Sequence, residues 1–245
     1  MTYLPYQIDG SSRSGRWLVT CDHATNTVPD AIGGGDLGLP PSDMARHIAY
    51  DIGAAGVTRL LAEYLDSPAI LSNFSRLVID PNRGEDDPTL LMKLYDGTII
   101  PANARADSEE RNRRLDLCYR PYHAALGKLA ARPATAILSI HSFTPQLRGR
   151  TMRPWEIGVL YAGDSRLARP LIDHLRAEPD LTVGDNEPYS GHLPGDAVDR
   201  HALRDGRPNV LIELRNDLIA DAAGQQLWAS RLAPILETVL AQTQL

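Results

Sequence analysis

The chain has 245 residues, with 31 acidic and 25 basic side chains, a formal net charge of −6, seven histidines and two cysteines. That length suits a single large α/β domain, the mild acidity excludes the basic face that a nucleic-acid binder needs, and no run of about 18 apolar residues is available to span a membrane. The N-terminus (MTYLPYQIDGSSRSGR) has no basic-then-apolar signal pattern, so a cytoplasmic protein is expected, with Cys21 and Cys118 reduced.

In chain order, residues 1–15 read as a peripheral segment before the first apolar run, Trp17 to Cys21. Gly33, Gly35 and Gly38 match G-x-G-x-x-G by spacing, but no strand-like run leads into them and Pro40-Pro41 follows, so they read as a loop. A helix is expected over Asp43 to Leu65, with Ser42 as N-cap and an apolar stripe at Met44, Ile48, Ile52 and Ala55. Strand-like runs follow at Pro68 to Leu71 and Leu77 to Ile79. A second helix is expected over Ser108 to Leu129. Asp107 and Glu110 stand at capping-box spacing, and Pro121 should kink or divide the helix. Further runs at Ala136 to Ile140, Ile157 to Tyr161 and Asn209 to Leu214 alternate with helical patterns at Ser165 to Ala177 and Ala222 to Ala241. The alternation predicts one domain over residues 1–245, a mixed, mostly parallel sheet flanked by helices on both faces.

Ligands of such sheets bind beyond the carboxyl ends of the strands. WLVTC is followed by Asp22 and His23, AILSI by His141 and Ser142, and LVID by Pro81, Asn82 and Arg83; NVLIEL contains Glu213, with Arg215 just after it. Two histidines and a carboxylate are a common ligand set for catalytic zinc. A further glutamate can take a proton from water and pass it to a leaving amine, and an arginine can hold a substrate carboxylate with two parallel hydrogen bonds. No H-E-x-x-H spacing is present, so hydrogen-bonded loop histidines remain an alternative for His23 and His141. Asp51, four residues after His47 and near the buried stripe, needs a partner, either a metal or an arginine; Asp22 and Glu213 are the other candidates for a carboxylate ligand.

The stretches CDHATNTVP, FSRLVIDPNR, SIHSFTP, NEPYSG and IELRNDLI, in this order from about Trp17 to the C-terminal helix, resemble the N-formylglutamate amidohydrolases (deformylases). This family is similar to the zinc-dependent carboxypeptidase-like hydrolases. The resemblance implies a phosphorylase/hydrolase-like α/β fold and a metal enzyme, with Zn2+ or another divalent metal. Its reaction would cleave a small anionic N-acyl amino acid, N-formyl-L-glutamate giving formate and glutamate in histidine degradation. Carried onto this chain, the resemblance makes His23, Asp51 and His141 metal ligands and Glu213 the group that activates water. Asn82 and Arg83 then grip the substrate carboxylate, with Tyr189 and Arg215 as second-rank candidates for substrate contact or for steadying the oxyanion. Another N-acyl amino acid, a short peptide cut in the manner of a carboxypeptidase, or a non-catalytic carboxylate-binding module are the alternatives.

Only Lys93 and Lys128 among the 25 basic residues are lysine, leaving 23 arginines; a Schiff-base enzyme would have to use one of these two. The chain has neither G-x-S-x-G nor G-x-x-x-x-G-K-[ST]. Cys21 and Cys118 read as buried structural thiols. His123 reads as structural or surface, and His174 as solvated. His192 and His201 flank a Gly/Pro/Asp-rich loop that could cover a site. Asp22 is either a solvated strand-end residue or a carboxylate orienting a histidine. Arg76 and Asp80 are expected to pair and brace their loop. Arg148, Arg150 and Arg153 form a basic cluster that could attract an anion, Arg153 being the best placed of the three. The oligomeric state is not legible.

Overall fold

The run WLVTC carries no polar alternation, and all five residues of strand β2 (Trp17–Cys21) are buried, as expected of a strand covered on both faces. A computed structural model, which describes residues 3–191 and 193–243, shows why. Seven strands form one sheet in the order β1-β3-β2-β6-β9-β7-β8: β1 (Tyr6–Asp9), β2, β3 (Ala69–Ser72), β6 (Ala136–Phe143), β7 (Ile157–Leu160), β8 (Val183–Asp185) and β9 (Asn209–Arg215). The central strands β3, β2, β6 and β9 run parallel. The N-terminal segment supplies β1 as an antiparallel edge strand, and β7 runs antiparallel to β9. The short β4 (Leu94–Tyr95) and β5 (Thr98–Ile99) form a separate hairpin. The mixed, mostly parallel sheet expected from the alternation is the one observed.

Trp17, Val19 and Cys21 face one apolar core, together with α2 (Ala54–Tyr64), α6 (Ala168–Arg176) and α8 (Ala222–Gln242). Leu18 and Ile137 face a second core built with Tyr119, Tyr122 and Leu126. Cys21 and Cys118 are buried, free thiols in these two cores, and burial pushes Cys118 up to about 12. Among the described residues no helix is long and apolar enough to cross a membrane.

The expected helix from Asp43 to Leu65 is not continuous. It is a short α1 (Pro41–Met44), a turn-rich stretch, and then α2. Gly53 stands at the N-cap where α2 begins: its φ is +80°, and a Cβ there would lie 2.0 Å from the Ile219 carbonyl oxygen. Only glycine takes that conformation at that distance. Pro40, not Ser42, stands at the N-cap of α1, with proline at its first position. Asp51 therefore lies on a loop, its amide bonded to the carbonyl of His23 at 2.9 Å.

The second predicted helix is present in three parts: α4 (Ser108–Arg114), a π-helical turn over Leu115–Tyr119, and α5 (Arg120–Ala130). Asp107 caps it by accepting from the Glu110 amide at 2.9 Å, and the wider turn leads directly to Pro121. The short α3 (Pro101–Ala104) and α7 (Ala197–His201) are the other α-helices among the described residues. Leu77 to Ile79 is buried but is no strand. Side chains take its carbonyls: Asn103 Nδ2 donates to Leu77 O and Arg114 Nη1 to Val78 O, each at 2.8 Å.

Candidate active site

Three parallel strands deliver the polar residues to one edge. His23 follows β2, and His141 stands opposite Glu213 on adjacent β6 and β9. Asp51 reaches the same point from its loop. Its Oδ2 lies 2.8 Å from Nδ1 of His141 and 3.3 Å from Nδ1 of His23, and accepts from the Ser142 amide at 3.2 Å. Its Oδ1 takes a 3.5 Å bond from Arg76 Nη1. The arginine partner and the histidine cluster therefore both belong to Asp51, one at each oxygen.

The outer nitrogens of the two histidines face other carboxylates. Nε2 of His23 is 2.7 Å from Asp80 Oδ1, and Nε2 of His141 is 3.6 Å from Asp22 Oδ2. Asp80 also receives Arg76 Nε and Nη2, at 3.2 and 2.8 Å, and the Asn82 amide at 2.9 Å. Arg76 and Asp80 do pair, and Asp80 additionally orients His23, a role the sequence did not suggest. Asp22 is fully buried rather than solvated and accepts from Tyr122 Oη at 2.5 Å.

These donors fit a divalent cation. Carboxylates at both Nε2 positions favour the proton there, which turns both Nδ1 lone pairs toward Asp51 Oδ2. Three lone-pair donors facing one another repel unless a cation or a proton lies between them. Ligand atoms of His23, Asp51 and His141 all lie within 4.8 Å of one another and all three residues are buried. The 3.3 Å separation from His23 is a spacing two ligands of one cation take up, whereas the 2.8 Å separation from His141 is a hydrogen-bond distance. Without the cation a proton does this work: against the effect of burial, Asp22 and Asp51 hold His141 well above the ordinary imidazole value. The two histidines hold Asp51 well below the carboxylate range, again against burial.

Glu213 Oε2 is buried and has no hydrogen-bond partner among the described residues. Burial pushes this carboxyl up to about 7, against the pull of His141 and with the added push of Asp51. Glu213 opens, with the three clustered residues, into a cavity of about 480 Å³.

Asn82, Arg83 and Tyr189 line this cavity too. Arg83 donates through Nη1 to Asn82 O at 2.7 Å and through Nε to Thr89 Oγ1 at 3.1 Å, so its fork is held in one orientation. Arg153 is one step back: it donates to Tyr189 Oη at 3.0 Å and to Thr144 O at 3.1 Å. Arg215 does not line the cavity; it is bound to Glu156 at 3.1 Å and Asp217 at 2.9 Å. His201 is buried against His123, with 2.9 Å between His123 Nδ1 and His201 Nε2, and likewise lies off the cavity. His123 is structural, its Nε2 3.0 Å from Pro81 O. His192 lies outside the described residues. His47, Tyr95 and Asp196 line the cavity without having been singled out for it. His47 and Asp196 come from irregular segments and Tyr95 from the two-residue strand β4, all too short or irregular for a periodic signal to mark which way a side chain faces.

A sequence profile of the N-formylglutamate amidohydrolases matches residues 15–220. The chain belongs to this family. An N-formylglutamate deformylase from Pseudomonas putida is 26% identical over a 206-residue alignment that covers 75% of this chain and 73% of that protein. A gene product of Agrobacterium tumefaciens of solved structure is 35% identical, with 97% of this chain and 95% of the other covered and a TM-score of 0.89. The structure of an N-formylglutamate amidohydrolase from Ralstonia eutropha JMP134 shares the fold, at 20% identity, TM-score 0.61 and 98% coverage of both chains. This amidohydrolase-family chain is accordingly a hydrolase with a candidate metal site at His23, Asp51 and His141.

Proposed function

We propose that this chain hydrolyses the amide of N-formyl-L-glutamate to formate and L-glutamate, using a divalent cation, zinc first, held by His23, Asp51 and His141. One observation carries the reading. Two imidazoles converge on Asp51 Oδ2 at 2.8 and 3.3 Å, and the unpartnered Glu213 carboxylate opens into the same cavity. A cation held there would polarise the acyl oxygen and lower the pKa of water, making attack possible near pH 7.

The chain's own groups do the rest. Glu213 takes the proton of the attacking water as the new carbon–oxygen bond forms at the formyl carbon. It delivers that proton to the amide nitrogen as the carbon–nitrogen bond breaks. Burial favours the protonated form of this carboxyl and a cation alongside would favour the charged one, so both forms that the transfer needs are supported at the site. Arg83 and Asn82 anchor a substrate carboxylate. Tyr189, steadied by Arg153, offers a hydroxyl at the wall. Arg215, already paired on both sides, is given no substrate contact. Cytoplasmic histidine degradation is the setting consistent with this substrate.

A second reading keeps the hydrolysis and changes the substrate to a bulkier N-acyl amino acid or short peptide. The apolar side chains Leu160, Leu193 and Leu211 in the cavity wall favour it. A panel of formyl, acetyl and peptidyl substrates, run on zinc-loaded protein, separates the two. Turnover highest on N-formyl-L-glutamate supports the first, and turnover on no amide in the panel defeats both.

A further inference from the structure

The arginine excess is not used up by the catalytic cavity. At the opposite edge of the sheet, where β2, β6 and β9 begin, Arg16, Arg132, Arg166 and Arg207 line a separate cavity of about 230 Å³. It lies roughly five strand residues from His141, about 17 Å along β6.

Two of these guanidinium groups are already neutralised. Arg166 is bound to Asp164 at 2.7 Å, and Arg207 is bound to Asp205. The other two meet only backbone. Arg16 Nε donates to Ala134 O at 3.2 Å, and Arg132 Nη2 donates to Gly15 O at 2.6 Å. Among the described residues neither forms an ion pair. Arg132 Nη1 is buried with no hydrogen-bond partner. Counting the four arginines against Asp164 and Asp205, the cavity carries a local charge of +2 on a protein whose net charge is −6. Half-buried cations without a counter-charge, one with a buried orphan N–H, are costly to keep.

We propose that this cavity binds a small, multiply charged oxyanion whose chemistry is that of a phosphate group. Guanidinium forks match phosphate oxygens. Two uncompensated arginines call for two negative charges, which a phosphate group supplies at neutral pH and a single carboxylate does not. The ligand is either free phosphate or a phosphorylated small molecule.

Calorimetric titration of the full chain with inorganic phosphate and with glycerol 3-phosphate, against sodium chloride at matched ionic strength, tests this. Saturable binding is expected for at least one of them, with the ester arm separating a phosphorylated metabolite from the free ion. The Arg16→Ala, Arg132→Ala double variant should weaken it at least tenfold. Arg166→Glu, at a more exposed position, should do the same if the double variant fails to fold. Arg83→Ala, in the catalytic cavity, should leave it unchanged. Heats no larger than those of chloride, binding that persists in the folded variants, or binding abolished by Arg83→Ala would each overturn the proposal.

Discussion

Replacing Glu213 by glutamine separates the chemistry of this carboxylate from its electrostatics. Its folded value of about 7 lies above the ordinary 4.5, and burial is the first cause. A carboxyl raised by folding supports the fold below its unfolded value. That support is lost as pH climbs from about 4.5 to about 7. Above 7 the metal-free protein carries a charged, unpartnered buried group at a cost on the order of 3 kcal/mol. Glu213→Gln removes the charge and keeps the shape. In chelator-treated protein the variant should melt higher than the parent at pH 8, by roughly 6–12 °C for a domain of this size. The two should melt nearly together at pH 5. The zinc-loaded variant should lose roughly 10²–10⁴ in turnover at unchanged metal content, the range for removal of a proton-transfer group. Thermal melts at the two pH values, metal analysis and initial rates provide the readouts. A variant that melts with or below the parent at pH 8 would refute the electrostatic reasoning. A variant that loses its metal would move Glu213 into the ligand set.

Asp80→Asn should weaken zinc affinity about 10–100-fold, because Asp80 fixes the ring of His23; competition with a chromogenic chelator measures it. Arg83→Ala should raise KM for N-formyl-L-glutamate by about one to two orders of magnitude with kcat much less changed, as loss of a charged anchor does, which steady-state kinetics would show. Gly53→Ala should destabilise the fold by more than about 1 kcal/mol, since the new Cβ meets the Ile219 carbonyl oxygen at a φ of +80°; urea unfolding measures that.

The strands were legible where burial on both faces left largely apolar runs, as in Trp17 to Cys21 and Asn209 to Leu214, observed as Trp17–Cys21 and Asn209–Arg215. The carboxyl ends of these strands and of the run Ala136 to Ile140 are where His23, His141 and Glu213 stand in the sequence, and the register of β6 and β9 sets His141 opposite Glu213. Leu77 to Ile79 carried the same apolar signal but is held by the side chains of Asn103 and Arg114, partners too distant in sequence for a local pattern to reveal. The long first helix was over-extended because the apolar spacing continues through Gly53. Where the helix resumes, Gly53 is held in its left-handed conformation against Ile219, another long-range contact. Asp80 and Asp22 illustrate the same limit at the site: their types were visible, but not the histidine that each of them faces. Edge strands β1 and β8, half-exposed and short, carry no run that distinguishes them from loop.

The central claim is that His23, Asp51 and His141 hold a cation on which hydrolysis depends. The most direct test is metal per chain and N-formyl-L-glutamate turnover, measured on the same protein before chelation, after it and after zinc is restored, with His23→Ala alongside. The account predicts close to one divalent ion per chain, activity lost on chelation and recovered with zinc, and a His23→Ala variant lacking both. Full turnover in metal-free protein, or in His23→Ala, would contradict it.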